Sequence, residues 1–182
     1  LWVNMITAVT LGIALAFEPT EHDAMARPPR PRGEPLLSTD LIWHIVLVAG
    51  LFLGGVFGMY LYAVEQGYSI DLARTIAVNT LVVMEIFHLL FIRNMYSARL
   101  TWKQLRGTRV LWVAIALVVA GQLAITYLPP LQEVFETESV RPRDALLILL
   151  VGVGLFVIIE LEKRLRLHLR LAAGAPERLD RG

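Results

Sequence analysis

Five apolar segments, separated by polar and charged stretches, set the pattern of this chain. They comprise residues 2–17, 41–64, 72–92, 110–128 and 145–161. A membrane-spanning helix needs about 20 predominantly apolar residues, and a chain in hydrocarbon must satisfy its backbone hydrogen bonds internally. The later segments are long enough to span or nearly so, whereas the first is short. The pattern therefore predicts an all-α membrane protein, a bundle of about five transmembrane helices with the first truncated.

Composition agrees with a polytopic membrane protein. Of the 182 residues, 56% are hydrophobic and 18% are charged, and none is cysteine. Charges confined between long apolar runs are typical of this class, and the lack of cysteine excludes disulfides and thiolate metal sites. The first segment has no basic start, so it does not resemble a signal peptide. Because the chain opens inside an apolar run, we expect it to be a fragment.

Lysine and arginine counts predict the orientation of the bundle. Residues 18–40 carry three of them, residues 93–109 carry five, and the tail after residue 161 carries six. The opposite side has only Arg74, Arg141 and Arg143. Since positive residues favour the cytosolic side, we expect the C-terminus to be cytosolic and the first helix to run inward.

Polar side chains inside two of the apolar segments are candidates for function. Asn4, Thr7 and Thr10 recur at every third position, which places them near one face of a helix. Hydrogen bonds between membrane helices are the simplest role for them. Glu85 is more informative, because a carboxylate inside a span marks an ion site or a pathway by default. The alternative is a hydrogen-bonded glutamate that only fixes packing, and His88 lies one turn further on.

Glycines form a regular stripe in the second segment. Gly50, Gly54 and Gly58 recur every four residues, and Gly55 lies beside them. Such small-residue stripes let another helix approach closely. The spacing predicts a helix-packing surface, used either with a helix absent from this chain or for self-association.

The motifs LWVNMIT, FEP and RPPRPRGEPLL closely resemble the sixth membrane helix and following cytosolic loop of P-type cation-transporting ATPases, in the calcium- and sodium-pump branch. Weaker similarity continues to about residue 170. The resemblance implies the sixth to tenth helices of such a pump. Residues 1–17 would then end the sixth helix, 18–40 form a cytosolic Pro/Arg-rich loop, 41–170 form a four-helix membrane domain, and 171–182 form a disordered cytosolic tail.

The same resemblance suggests the cation ligands. Asn4 and Thr7 match ion-site residues of the sixth helix, and Glu85, within VMEIFHLL, lies where the eighth helix carries an ion-coordinating glutamate. Amide, hydroxyl and carboxylate oxygens suit group I and II cations. Ala8 departs from the family pattern, which has a bridging aspartate there. The number and identity of the ions, and proton counter-transport, therefore stay open.

The resemblance implies a part of a pump that is not catalytic alone. No DKTGT phosphorylation motif occurs in the sequence, so we expect no cofactor here and Mg-ATP to bind elsewhere in the full-length pump. The expected partners are membrane lipid, the transported cation, and the remaining helices and cytosolic domains of the parent pump, with no nucleic acid. We expect an integral protein of the plasma membrane. The alternative is a stand-alone helical scaffold or small channel. A secondary transporter would need an internal repeat, and none is convincing.

Overall fold

The computed structural model describes residues 12, 13, 16, 39–95 and 109–172 of the chain. Its complete helices are α1 (Thr39–Glu65), α2 (Ile70–Met95), α3 (Arg109–Tyr127), α4 (Pro129–Phe135) and α5 (Pro142–Ala172). Gly12, Ile13 and Ala16 are also helical, and no strand occurs in the described ranges. The predicted all-α architecture is therefore confirmed.

Four of the helices are long and apolar enough to cross a bilayer. The spans are Leu41–Glu65, Ile70–Ile92, Arg109–Tyr127 and Pro142–Arg166. They confirm the last four predicted segments, and the chain is an integral membrane protein. Other predictions lie outside the described residues: Asn4, Thr7 and Ala8 of the first segment, most of the Pro/Arg-rich loop, the basic stretch 96–108 and the tail 173–182.

A tight turn at residues 66–69 joins α1 to α2. Gly67 has a positive φ of 71°, a conformation that glycine adopts without steric cost. The Tyr68 amide donates to the Ala63 carbonyl at 3.1 Å, which is the C-terminal pattern of a helix that ends in a left-handed residue. Ser69 then caps α2, since its Oγ accepts from the Leu72 amide at 3.1 Å. Local sequence chemistry thus fixes an antiparallel helix pair.

Helix α4 is an element that the hydrophobic pattern did not predict. Pro129 and Pro130 end α3, as expected, but they also occupy the first turn of α4, where a missing N–H costs nothing. The helix ends at Glu136, whose φ of 51° is left-handed. A helix of seven residues is too short to appear as a membrane-spanning segment in the hydrophobic pattern.

Helix α5 extends beyond both predicted ends of the fifth segment, from residue 142 to residue 172. Ion pairs one turn apart support its basic extension: Lys163 and Arg164 each reach Glu160, and Arg166 reaches Glu162. Pairs at this spacing stabilise a helix modestly. The first two residues of the predicted disordered tail are therefore helical.

The central helix of the described fold is α2, which packs against α1, α3 and α5. One of its faces meets α3 through Val82, Leu89 and Ile115. Another meets α1 and α5 through two clusters, in which Ile76 packs with Ile148 and Met84 packs with Leu155. The positions of α3 and α5 are thus both set by α2.

Two glycines lie where neighbouring helices pack closely. A Cβ atom at Gly152 of α5 would lie 2.6 Å from Phe87 Cδ2, and one at Gly55 of α1 would lie 2.8 Å from the Met84 side chain. The predicted stripe of Gly50, Gly54 and Gly58 faces elsewhere, because a Cβ at any of the three would meet nothing within 4 Å among the described residues. Its role as a packing surface stays a prediction.

Candidate functional site

Glu85 lies in α2, about two-thirds of the way along the span Ile70–Ile92. Its side chain is partly buried, and its Oε2 atom is shielded from solvent. Val82 and Leu89, one turn to either side, pack against α3, so Glu85 lies beside the contact between α2 and α3. An ionisable group at this depth faces protein or water rather than lipid and is a functional candidate.

Neutral oxygens would have to complete a cation site at Glu85. Within the described ranges, no group of three or more His, Cys, Asp or Glu side chains could hold a metal ion. The other two predicted ligands, Asn4 and Thr7, lie outside those ranges and stay predictions. Amide and hydroxyl oxygens of that kind are suitable partners for one carboxylate around a hard cation.

His88, one turn beyond Glu85, belongs to an aromatic cluster that the sequence did not reveal. Its ring is stacked with His44 at a centroid distance of 5.9 Å and with Phe91 at 6.5 Å. Phe52 meets it edge-on at 5.9 Å. His44 Nε2 and His88 Nδ1 are buried and make no hydrogen bond with the described residues. The cluster therefore joins α1 to α2 by ring packing.

Charged side chains of α5 lie near the cluster that contains His44 and His88. Lys163 Nζ lies 5.9 Å from the centre of the Phe91 ring, within the range of a cation–π contact. The Trp43 indole N–H donates to Glu162 Oε1 at 2.9 Å, which also accepts from Arg166 Nε at 2.9 Å. These contacts tie the start of α1 to α5, next to the histidine pair.

A polar network closes the opposite end, which we call the α4 end and which comprises residues 66–69, α4 and residues 136–141. Asn79 Nδ2 donates to Thr126 Oγ1 at 3.2 Å and to the Thr75 carbonyl at 2.9 Å. Thr75 Oγ1 in turn accepts from the Glu138 amide at 3.1 Å. Gln132 Nε2 donates to the Thr126 carbonyl at 2.7 Å. Thr126 thus links α3 to α2 by a hydrogen bond between the helices.

A buried carboxylate at the α4 end connects α1 to α5. The Tyr62 hydroxyl donates to Asp144 Oδ1 at 3.0 Å, and the Asp144 side chain is fully buried. Asp144 Oδ2 makes no hydrogen bond with the described residues. A buried polar group is costly without partners, so Tyr62 stabilises this arrangement. The two residues are 82 positions apart in sequence, and no sequence signal paired them.

We expect Tyr62→Phe to lower the free energy of unfolding by about 1–3 kcal/mol, since it leaves a buried Asp144 oxygen without its donor. The measurement is denaturant unfolding of the purified protein in micelles, followed by circular dichroism. Tyr60→Phe is the matched control, because the Tyr60 ring packs against Phe57 and its hydroxyl makes no hydrogen bond within the described residues. Equal stability of the two variants would contradict the role assigned to Tyr62.

Comparisons with known proteins indicate the family to which the chain belongs. The family model described as "Cation transporting ATPase, C-terminus" matches residues 1–165. "Probable cation-transporting ATPase F" of Mycobacterium tuberculosis is 36% identical over 141 residues, which cover 77% of this chain and 15% of that protein. "Calcium-transporting ATPase type 2C member 2" of Mus musculus is 32% identical over 149 residues, which cover 81% of this chain and 16% of that protein.

The chain spans only about 15% of the length of these curated relatives. The match to the family model, in contrast, extends over most of the chain. It includes the four described spans, apart from Arg166 at the end of the last one. The chain therefore belongs to the family of cation-transporting ATPase C-terminal membrane regions.

Proposed function

We propose that this chain is the C-terminal transmembrane part of a P-type cation-transporting ATPase of the calcium- and sodium-pump branch. In that role it supplies part of the cation site and supports the translocating helices. The observation that carries the proposal is the position of Glu85. This carboxylate lies inside the apolar span of α2, in a chain that matches the family model over residues 1–165.

The helix order of such a pump accounts for the rest of the chain. Residues 1–17 would end the sixth helix, and α1, α2, α3 and α5 would be the seventh, eighth, ninth and tenth. Charge asymmetry supports a cytosolic C-terminus, and we propose the plasma membrane as the location. The stripe of Gly50, Gly54 and Gly58, which is open within the described residues, would face another helix of the parent pump or a second copy of the chain.

We propose that one group I or II cation binds between Glu85, Asn4 and Thr7. Glu85 supplies the negative charge, and the other two supply neutral oxygens. Ala8 offers no ligand where the family pattern has an aspartate, so Glu85 is the main anionic ligand in this part of the membrane domain. Hydrolysis of Mg-ATP takes place in other parts of the pump, because this sequence has no DKTGT motif.

The experiment is to measure phosphoenzyme formation from radiolabelled ATP in the protein at its natural length. We expect an acid-stable, hydroxylamine-sensitive phosphoenzyme whose formation depends on a group I or II cation. The 182-residue chain alone should form none. The reading frame upstream of Leu1 should encode the phosphorylation motif.

Two results would contradict the proposal. Phosphoenzyme in the 182-residue chain alone would mean that its chemistry has been misassigned. A natural gene product without a phosphorylation motif, and without cation-dependent labelling, would indicate a stand-alone membrane scaffold or small channel.

A further inference from the structure

An apolar cavity of about 310 Å³ lies between α2, α3 and α5, in the half of the bundle next to the α4 end. Its wall includes Ile86 and Phe87 of α2, Val119 and Leu123 of α3, and Ile148 and Leu149 of α5. The cavity is roughly twice the size of an engineered apolar cavity that binds benzene. It is thus large enough for a ligand, not merely a packing defect.

The cavity follows from the way the helices pack. Helix α3 meets one face of α2 through Leu111, Ile115 and Val118, while α5 meets another face through Ile148 and Leu155. Because α3 and α5 each pack against α2, they do not pack against each other at the depth of the cavity. The cavity is the space between them, and α2 forms its third side.

The cavity opens onto the surface that the spanning helices present to lipid. Leu123 and Leu149 line it, yet they are 52% and 50% exposed. Exposed apolar side chains of a spanning helix contact lipid chains or another membrane helix. No helix of the described residues covers Leu123 and Leu149, so a lipid chain can reach the cavity through this opening.

The chemistry of the wall favours a hydrocarbon chain over a polar ligand. Of the residues that line the cavity, Asn79, Gln122 and Tyr127 are polar, and the donors of Asn79 and Tyr127 are already used. The Asn79 amide donates to Thr75 and Thr126, and the Tyr127 hydroxyl donates to the Val140 carbonyl at 3.0 Å. Water is disfavoured in so apolar a space, because an ordered water needs two to four polar partners.

We propose that this cavity is a structural lipid site that takes one acyl chain of a bilayer glycerophospholipid. The chain enters between Leu123 and Leu149 and contacts Ile86 and Phe87 beneath them. Its contacts replace those that α3 and α5 do not make with each other, so the lipid holds α3 in place at the α4 end. The site lies beside the α2–α3 contact that also borders Glu85 but does not depend on cation binding there.

The test uses the protein at its natural length in nanodiscs that contain a phosphatidylcholine with a photoreactive diazirine at the middle of one acyl chain. After illumination, peptide mass spectrometry measures labelling at each residue. We expect Ile86 to be labelled at least fivefold more than Ile76, because Ile76 is fully buried on the same helix and does not line the cavity. Leu117, 62% exposed on α3, reports the general labelling by lipid.

Two substitutions make the test specific to the cavity. Leu123→Trp should fill its mouth and lower the Ile86 label at least threefold relative to the Leu117 label. Leu149→Trp should do the same from the α5 side, so that the result does not depend on one variant folding. The matched control is Val113→Trp, at a 58%-exposed position of α3 that does not line the cavity, which should leave the ratio unchanged.

Some results would overturn the proposal. Labelling of Ile86 no higher than that of Ile76 would mean that no acyl chain enters. An Ile86 label that neither tryptophan reduces would mean that lipid reaches it by another route. A cross-link from Ile86 to another segment of the protein would mean that protein, not lipid, fills the cavity. Because the readout is labelling, it remains informative even if cation-dependent phosphorylation fails.

Discussion

Gly152→Leu is expected to lower the free energy of unfolding by about 3 kcal/mol, the upper part of the usual range for overpacked cores. A Cβ atom at this position would lie 2.6 Å from Phe87 Cδ2 and 2.7 Å from Val83 Cγ1. Neither neighbour is the flexible end of a side chain. The aromatic ring and the branched valine have few other rotamers, so α5 would have to move away from α2.

Gly154→Leu is the matched control, since it makes the same change two residues later on the same helix. A Cβ at Gly154 would meet nothing within 4 Å among the described residues. We expect its effect to stay within about 0.5 kcal/mol, as for other substitutions away from packed contacts. The measurement is unfolding of the purified protein by added SDS in mixed micelles, followed by circular dichroism. Equal stability of the two variants would show that α5 does not pack on α2 through Gly152.

Gly55 provides a useful comparison with Gly152. A Cβ at Gly55 would lie 2.8 Å from the Met84 sulfur and methyl group and 3.2 Å from Val151 Cγ1. The methionine side chain is unbranched and can move to another rotamer, so less energy is needed to accommodate the same added atom. The stiffness of the neighbouring side chain, not the distance alone, determines the cost of adding atoms at a helix contact.

The spans were predictable from the sequence, whereas the helix contacts were not. Hydrocarbon requires long apolar helices, so hydrophobicity alone located segments such as 41–64 and 110–128. The spacing of Gly50, Gly54 and Gly58 singled out one glycine face of α1. The contact glycines in the described residues are instead Gly55 and Gly152, because the face that meets a neighbour depends on the arrangement of all the helices.

Contacts between polar residues that are distant in the sequence could not be predicted either. Tyr62 with Asp144 and His44 with His88 join different helices, and nothing in the local pattern marks either pair. Glu85 could be proposed as a site residue from the sequence for the opposite reason, and it stays a prediction. A single carboxylate inside an apolar span conflicts with its surroundings, and such conflicts are expected at functional sites.

Glu85→Gln in the natural-length protein is expected to weaken cation-stimulated phosphorylation strongly. The substitution removes the charge but keeps the size of the side chain and one neutral oxygen. A contact with a charged group contributes about 1.5–3 kcal/mol, and each 1.4 kcal/mol is about tenfold in affinity. The apparent cation affinity should therefore fall by about tenfold to a hundredfold. Ala8 makes the loss severe, because no aspartate stands there to share the charge.

The measurement is the cation dependence of phosphoenzyme formation, with all variants expressed at equal levels. Glu133→Gln is the matched control, because it makes the same chemical change at an exposed position of α4 and should leave the cation affinity unchanged. Thr10→Val should have a small effect, since Thr10 is not among the proposed ligands. If Glu85→Gln keeps the wild-type cation affinity, the carboxylate fixes the packing of α2 and α3 instead, and the anionic ligands of the pump come from helices outside this chain.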